Sequence, residues 1–386
     1  MMRWILVLFV CASAFGQSVE NRLIAYRAEL DEFRNEYGGA RELPNVPFFL
    51  FGMGQRPKFL YRGGKLVDLR NGLVAGQWKV KSEVILPPEY RVVITKEDGS
   101  KMQIVEDEIA VWITDATNRM TVNKTDVPVK LPAFPDHKYS QILRVLHQEL
   151  LVNVTAAGPV PNLFVYKKPW YRDGAMMGMV LQKTGNLRSI RDWIMHLNDP
   201  FDRNNAGETE PDNLGQALYL ISLASDKKHP LVPAITLATR QFERESPNGK
   251  YISGRTDLAE HPVYQTKWLK YGMRALGLND SFAVPEITDS YSALFWMDYR
   301  DAHVISNKDA KDREKYPYLA WANDHFNRTK KSPISNRDYP LTWEQDASQA
   351  DYNGLAMLDQ VYIDQKIAAP HTWHAAEIFL YLLDQK

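Results

Sequence analysis

The stretch Pro169-Trp170-Tyr171-Arg172-Asp173-Gly174-Ala175-Met176 places two aromatic residues and an Arg–Asp pair ahead of an apolar segment that ends at Thr184-Gly185-Asn186. The spacing of the apolar residues predicts a helix, with Gly185 at its C-terminal cap. Asp173 is therefore expected at or near the helix N-terminus. Aromatic faces beside a guanidinium and a carboxylate suit a polar ring with apolar faces, such as a sugar. The alternative is that Asp173 caps the helix and pairs with Arg172.

Composition and the absence of common motifs exclude several classes of partner. Lys plus Arg and Asp plus Glu each number 47 in 386 residues, so the formal net charge is zero. This balance gives no electrostatic reason to expect nucleic acid or an anionic membrane as a partner. No H-E-x-x-H or Cys/His spacing, phosphate-binding glycine loop or G-x-S-x-G motif is present. We therefore expect neither a metal nor another cofactor.

Residues 1–17 have the pattern of a secretory signal peptide. Arg3 supplies a positive charge, Trp4 to Val10 form an apolar core, and Ala12 to Gly16 form a small-residue exit. Cys11 is the only cysteine, so the mature chain would contain no disulfide. The bulky residues before Cys11 favour cleavage over lipidation. Because no later apolar run reaches about 18 residues, we expect a secreted or periplasmic protein without an integral membrane segment.

Residues 18–135 are predicted to form an N-terminal helix and a β-rich domain with a linker. Apolar residues at three- and four-residue spacing predict a helix from Val19 to Tyr37, followed by Gly38-Gly39. Short runs between turn signals then predict a small antiparallel β-domain, and three prolines between Val127 and Pro135 indicate the linker. Strands are expected over 48–51, 58–61, 65–68, 77–86, 90–95, 101–105 and 109–114.

Residues 136–386 are predicted to be almost entirely helical. Alternating short and long loops between the helices indicate stacked helical hairpins. Helices are expected over 139–152, 175–184, 187–197, 213–224, 231–245, 262–276, 289–299, 311–325, 347–363 and 371–383. The long loops are 198–212, 246–261, 300–310 and 329–346. These loops hold most of the unusual polar residues, and loops on a rigid scaffold commonly carry functional sites.

Three polar clusters lie at the ends of these loops. Glu210, Asp212 and Gln216 surround one expected helix start, where the helix dipole alone would explain Asp212. Glu260 and His261 precede the next helix, which a proline begins. Helix capping is the alternative explanation for both clusters.

The third cluster places Glu344 beside Trp343, which could also be a surface acid next to a buried aromatic residue. Separated carboxylates at helix starts are what glycoside hydrolysis requires, because one acid protonates the leaving oxygen while the other acts on the opposite face of the ring. The ring of His371 is expected to form a hydrogen-bonded pair with His374 in the core.

The order and content of these stretches resemble the glucoamylase-type, six-hairpin (α/α) toroid glycoside hydrolases. Trp170-Tyr171-Arg172-Asp173 is similar to the W-x-R-D signature, and Asp212 to Leu218 to the N-D-G-x-A-L helix start. Asp257-Leu258-Ala259-Glu260 resembles D-L-W-E-E, whose first glutamate is the general acid. Trp343-Glu344-Gln345 resembles the A-E-Q stretch of the general base, and Pro370 to Glu377 resembles the last helix of several such toroids.

The resemblance implies a mainly α fold, an (α/α)6-type toroid over 136–386 preceded by a small antiparallel β-domain. It implies an inverting hydrolase of an oligo- or polysaccharide, with Glu260 as the acid, Glu344 as the base and one pocket around them. Asp212 or Glu210 is the reserve acid. The expected substrate-binding residues are Trp170, Tyr171, Arg172, Asp173, Glu210, Asp212, Gln216, His261 and Trp343.

Two departures from the motif keep other functions open. Ala259 replaces the tryptophan of the acid-bearing stretch and His261 replaces its second acid. One alternative is a polysaccharide lyase or an unsaturated-uronide hydrolase, for which a Tyr/His pair or an Asp acting on a C4–C5 double bond would be required. The other is a glycan-binding protein without catalytic activity.

Overall fold

The structure is a computed structural model that describes residues 18–37, 40, 42–204, 206–256, 259–287, 334–345 and 351–384. Over these residues, 38% of the chain is helix and 22% is strand. The fold is therefore mixed α and β, and the prediction of a mainly α fold is wrong. The predicted signal peptide and the predicted helices over 289–299 and 311–325 lie outside the described residues.

The N-terminal part begins with helix α1 (Val19–Tyr37) and continues into two antiparallel sheets in which consecutive strands pair. The four-stranded sheet contains β1 (Phe49–Phe51), β2 (Phe59–Arg62), β3 (Lys65–Asp68) and β4 (Val74–Gln77). The five-stranded sheet contains β5 (Val80–Leu86), β6 (Arg91–Lys96), β7 (Lys101–Glu106), β8 (Ala110–Asp115) and β9 (Arg119–Lys124). The predicted strand over 77–86 is interrupted, because the chain passes from one sheet to the other after Gln77.

The second part contains helices joined by short strand pairs. The helices are α2 (Ser140–Val152), α3 (Tyr171–Lys183), α4 (Arg188–Met195), α5 (Asp212–Ala224), α6 (Leu231–Thr239), α7 (Pro262–Ala275), α8 (Gln360–Asp364) and α9 (Thr372–Asp384). The antiparallel pairs are β10 (Val154–Thr155) with β11 (Gly158–Pro159), β12 (Glu243–Ser246) with β13 (Gly249–Ile252), β14 (Arg255–Thr256) with β15 (Ala259–Glu260), and β16 (Glu344–Gln345) with β17 (Ile367–Ala368). Short 3-10 helices cover Pro87–Glu89, Arg240–Phe242 and Tyr352–Met357.

The predicted six-hairpin toroid is also wrong. Among the described residues, α2 packs on α9, α9 on α3, α3 on α5 and α5 on α7, which gives a row of helices but not a clear ring of six hairpins. The predicted helix over 231–245 ends at Thr239, and the predicted loop over 246–261 contains strands. Apolar spacing predicted most of the helices but contains no information about how a loop pairs with itself or how helices are arranged.

The close contact between helices α5 and α7 requires two glycines. A Cβ built on Gly215 would lie 2.1 Å from the carbonyl carbon of Trp268, and one on Gly272 would lie 2.3 Å from the Gly215 carbonyl oxygen. Only glycine permits the two backbones to approach this closely. The contact brings the N-terminal ends of α5 and α7 together, and both ends carry predicted site residues.

One hydrophobic core connects the sheets and the helices. Buried residues of α1, the four-stranded sheet, α2 and α9 belong to the same cluster. Gln148 Nε2 on α2 donates to the Leu50 carbonyl oxygen of β1 at 2.8 Å, and Gly54 N donates to the Leu151 carbonyl oxygen at 2.8 Å. The predicted division of the chain near residue 135 stays a prediction. Across the described ranges, every helix is too short or too polar to cross a membrane.

Candidate functional site

The strand pair β16–β17 creates the centre of the candidate site. Glu344 lies opposite Ala368 in this pair, so its side chain comes close to His371, which immediately precedes α9. His371 Nε2 is 3.1 Å from Glu344 Oε2, and the hydroxyl of Tyr166 donates to the same oxygen at 3.1 Å. Glu344 Oε1 has no hydrogen-bond partner among the described residues, and the side chain is 21% exposed. Glu344 is therefore held through one oxygen, and its side chain remains partly exposed.

Asp173 lies in the first turn of α3 and is only 3% exposed. Its Oδ1 has no hydrogen-bond partner among the described residues. Burial raises the pKa of Asp173 to about 6, the positive charges of His371 and Arg172 act against this increase, and the negative charge of Glu344 adds to it. A buried carboxyl group with a raised pKa and a free oxygen is suited to donating a proton near neutral pH.

The charge of Glu344 also acts on His371. Burial alone would lower the pKa of His371, but the charge of Glu344 and the hydrogen bond to it outweigh burial and raise that pKa above its ordinary value. The rings of His371 and His374 lie 4.4 Å apart between centroids, and both residues are buried. His371 is therefore a partner of Glu344 as well as a neighbour of His374.

Trp170 forms an aromatic wall beside these residues. Its ring contacts that of Tyr166 edge-on, with centroids 5.2 Å apart, and the Arg172 guanidinium lies 5.5 Å from the Trp170 centroid. The Nε1 atom of Trp170 is buried and has no hydrogen-bond partner among the described residues. The Trp170 ring and the Arg172 guanidinium are therefore adjacent, and their binding of a sugar ring stays a prediction.

Arg172 connects this site to the acidic residues at the start of α5. Its Nη1 is 3.9 Å from Glu210 Oε2 and 3.8 Å from Asp212 Oδ2. Asp212 is completely buried, and it accepts hydrogen bonds from Gln216 Nε2 at 2.8 Å and from Thr256 Oγ1 at 3.1 Å. Asp212 makes no capping hydrogen bond, since Pro211 occupies the cap position. Because protein donors already occupy both oxygens of Asp212, its main role here is to hold α5, β14 and Arg172 together.

Glu260 and His261 lie on the adjacent strand pair and helix start. Glu260 is exposed on β15, and Ser253 Oγ donates to its Oε2 at 2.9 Å. His261 is buried immediately before α7. Glu260 makes no hydrogen bond or ion pair with Asp173, Arg172 or Glu344 in the described part of the chain, so the structure does not bring the two predicted catalytic glutamates into contact.

The other two predicted aromatic contacts point in different directions. The Tyr171 hydroxyl donates to the Asp199 carbonyl oxygen at 2.7 Å, and its ring packs edge-on against Trp193 at 6.2 Å. Trp343 is buried next to Glu344. Tyr171 therefore contributes to the base of α3, while Trp343 is packed in the hydrophobic core one position before Glu344.

Asp202 is a site residue that the sequence did not reveal. It accepts a hydrogen bond from the Tyr171 backbone N–H, and burial raises its pKa to about 7. Tyr166 and His371 were also not predicted to contact Glu344. Tyr166 and Glu344 are 178 positions apart in the chain, so no local spacing could have indicated this contact.

No known family model, curated protein or solved structure matches this chain. The assignment to the six-hairpin glycoside hydrolases is therefore without support from either the fold or a relative, and it is wrong as a family assignment. Within the described ranges, no group of three or more His, Cys, Asp or Glu side chains is arranged to hold a metal ion. The geometry of the site is thus the only basis for a function.

Proposed function

We propose that this protein is an exported glycoside hydrolase in which Asp173 is the general acid and Glu344 is the general base. The observation that supports this proposal best is the difference between the two carboxyl groups. Asp173 is buried, has an oxygen without a hydrogen-bond partner among the described residues and has a pKa of about 6, whereas Glu344 is partly exposed beside His371. Two carboxyl groups in contrasting environments are what acid–base cleavage of a glycosidic bond requires.

In the proposed reaction, protonated Asp173 donates its proton to the glycosidic oxygen as the bond to the anomeric carbon breaks. Glu344 accepts a proton from the water that attacks this carbon from the opposite face. Tyr166 and His371 both contact Glu344 Oε2, which orients the carboxylate and leaves Oε1 for the water. Trp170 would provide the apolar surface for the sugar ring. The proposed reaction inverts the configuration of the anomeric carbon.

The acid in this proposal differs from the one that the sequence indicated. Glu260 is exposed and hydrogen-bonded to Ser253, while Asp173 is buried close enough to Glu344 for their charges to interact. A general acid must hold its proton near the working pH, and burial favours the protonated form. The structure therefore favours Asp173 as the acid, although the sequence-based pair of Glu260 and Glu344 is still a candidate.

The decisive experiment compares three substitutions that keep side-chain shape, Asp173→Asn, Glu344→Gln and Glu260→Gln. On a glycan panel we expect Asp173→Asn to lower turnover by about 10²–10⁴-fold, because no proton reaches the leaving oxygen. Hydrolysis of glycosyl fluorides should be unaffected in this variant, because fluoride leaves without being protonated. Glu344→Gln should remove activity on both substrates, and Glu260→Gln should be close to wild type.

Three other outcomes would contradict the proposed roles of these carboxyl groups. Loss of activity in Glu260→Gln with normal activity in Asp173→Asn would return the acid role to Glu260. Full activity in all three variants would exclude this site as the catalytic centre. NMR of the first product should show an inverted anomeric carbon, and a retained configuration would exclude the inverting mechanism even if both carboxyl groups prove essential.

A second candidate is supported by Tyr166 and His371, which both contact Glu344 Oε2. Tyrosine and histidine could abstract and deliver a proton in β-elimination from a uronate, or Asp173 could protonate an unsaturated uronide. The carboxylates around Arg172 make binding of an anionic sugar costly, which favours the first proposal. Incubation with uronate polymers separates the two, because a lyase forms products with the ultraviolet absorbance of a C4–C5 double bond.

A further inference from the structure

We propose that Glu149 is a positioning residue for Glu344. Its side chain fixes the segment that carries Glu344 and, together with Asn153 one helical turn later, holds this segment against the one that carries His371. This inference rests on the proposed function, because it assigns Glu149 a role in the geometry of the same site.

Glu149 is completely buried in α2, far from Glu344 in sequence. It accepts hydrogen bonds from the backbone N–H of Leu341, the backbone N–H of Thr342 at 3.0 Å and the Thr342 hydroxyl at 2.5 Å. All three donors belong to two consecutive residues that end two positions before Glu344. Within the described part of the chain, the hydrogen bonds of this carboxyl group are therefore all made to the segment that leads into β16.

The Thr342 hydroxyl extends the connection to His371. It lies between Glu149 Oε2 and the His371 backbone, and it accepts a hydrogen bond from the His371 N–H at 3.2 Å. One hydroxyl group thus connects Glu149 to the residue that pairs with Glu344. Displacement of Thr342 would move both members of the Glu344–His371 pair.

Asn153 holds the second segment from the same helix. Its Nδ2 donates to the Pro370 carbonyl oxygen at 3.2 Å, and Asn162 Nδ2 donates to the same oxygen. Thr372 N also donates to the Pro161 carbonyl oxygen at 2.8 Å. The backbone on both sides of His371 is therefore fixed to the end of α2 and the loop that follows it.

Retention of a carboxyl group at this position is costly. Burial raises the pKa of Glu149 to about 8, against the lowering effect of its three hydrogen bonds. An apolar side chain would avoid this cost but would leave the buried Leu341 and Thr342 donors without acceptors. An amide would offer these donors one acceptor oxygen where the carboxyl group offers two. Misplacement of a catalytic group by about 1 Å can lower a rate by about 10²-fold, so precise placement of Glu344 is a sufficient reason to keep Glu149.

The test uses Glu149→Gln and Thr342→Val, with two matched controls. Gln148→Leu removes a buried side-chain hydrogen bond from the same helix, but that bond goes to Leu50 and not to the site. Thr342→Ser keeps the hydroxyl group and should restore wild-type behaviour. The first measurement, which needs no substrate, is the NMR titration of His371, assigned with His371→Asn. The second is kcat and KM on a hydrolysed glycan.

We expect the pKa of His371 to fall in Glu149→Gln and Thr342→Val, because Glu344 no longer lies at 3.1 Å, and to stay unchanged in both controls. We expect kcat to fall by about 10–100-fold with little change in KM. Unchanged His371 titration in folded Glu149→Gln and Thr342→Val would overturn the inference. An equal decrease in the pKa of His371 and in kcat in Gln148→Leu would also overturn the inference, since it would indicate a general effect on stability.

The design separates this inference from the proposed function. If the His371 titration shifts as expected but the wild-type protein hydrolyses no glycan, the positioning role of Glu149 stands and the proposed function fails. If Glu149→Gln does not fold, Thr342→Val decides the outcome, because it is nearly isosteric and removes only the hydroxyl group.

Discussion

At the scale of single residues, the candidate site depends on two acids with different surroundings. Asp173 is enclosed at the start of α3, where burial favours its protonated form. Glu344 is partly exposed and contacts His371 and Tyr166 through one oxygen. The chemical difference between the two carboxyl groups comes from these neighbours and not from their residue type, so changing the neighbours should change the activity in a predictable direction.

The pH dependence of activity follows from the pKa of Asp173, which is about 6. A general acid works only when protonated, so kcat/KM should fall as pH rises through about 6, by up to about tenfold per pH unit. The charge of His371 lowers the pKa of Asp173. In His371→Asn, the decline should therefore move to higher pH. Measurement of kcat/KM against pH for both proteins tests this, and a decline at the same pH in both would contradict it.

Trp170 should contribute directly to glycan binding. We expect Trp170→Ala to weaken binding by about 1–3 kcal/mol, because the ring contact with the sugar is lost. Isothermal titration calorimetry with an oligosaccharide measures this change. Trp112→Ala is the matched control. Trp112 also lies under an arginine, with Arg119 Cζ 3.8 Å from its ring centroid, but it belongs to β8 of the five-stranded sheet. Equal affinities for wild type and Trp170→Ala would exclude Trp170 from the binding surface.

At the scale of elements, the position of the site depends on how closely α5 and α7 pack. Gly215 and Gly272 let the two backbones touch, and the start of each helix then lies next to Arg172 or β14. Thr256 of β14 reaches Asp212 of α5 at 3.1 Å, and Gln265 of α7 donates to Thr256 at 2.8 Å. The polar residues at the two helix starts are therefore positioned by a backbone contact between Gly215, one turn into α5, and the second half of α7, which contains Gly272.

Gly215→Ala tests this contact. Alanine in a helix normally stabilises a protein relative to glycine by about 0.5–1 kcal/mol. Here the added Cβ would lie 2.1 Å from the carbonyl carbon of Trp268 in α7. The steric clash should therefore outweigh the gain in helix propensity. We expect the free energy of unfolding, measured in urea, to fall by about 1–3 kcal/mol or more. Gly354→Ala is the control, because its Cβ would find its nearest neighbour at 3.9 Å. Equal or greater stability of Gly215→Ala would contradict this account.

At the scale of the whole molecule, the sheets and helices share one hydrophobic core. Residues of α1 also bond to the segment before Glu344, as Arg34 donates to the Ser335 carbonyl oxygen at 2.7 Å and Tyr26 to that of Asp338 at 2.8 Å. The N-terminal part therefore supports the segment that carries the proposed base. A division of the chain near residue 135 would cut through these contacts.

We expect the protein to unfold in one cooperative transition, because a shared core leaves neither part stable alone. Far-ultraviolet circular dichroism and tryptophan fluorescence should give coincident thermal curves. Gly215→Ala should lower the midpoint seen by both probes, although the substitution lies in the helical part. Two separate transitions, or a shift seen by one probe only, would support independent domains as the sequence predicted.

Periodicity and turn residues determined most of the individual elements. They predicted α2, α7 and the strands β3 and β6 within a residue or two, as well as Asp173 in the first turn of a helix. These features depend on neighbours within a few positions, and such neighbours are visible in the sequence. Short strand pairs such as β14–β15 and β16–β17 were missed, because two-residue strands have no measurable period.

Only the tertiary structure decided which acids and bases meet. Glu344, Tyr166 and His371 come from distant segments, and Glu149 reaches across 192 positions to Leu341. Burial of Asp173 and exposure of Glu260 also result from packing, although both acids look equivalent in the sequence. The sequence by itself determined the starts of α2, α5 and α7 to within a residue. The choice between the two acids required the tertiary structure, because the pKa of a carboxyl group depends on solvent exclusion and on charges that only folding brings near.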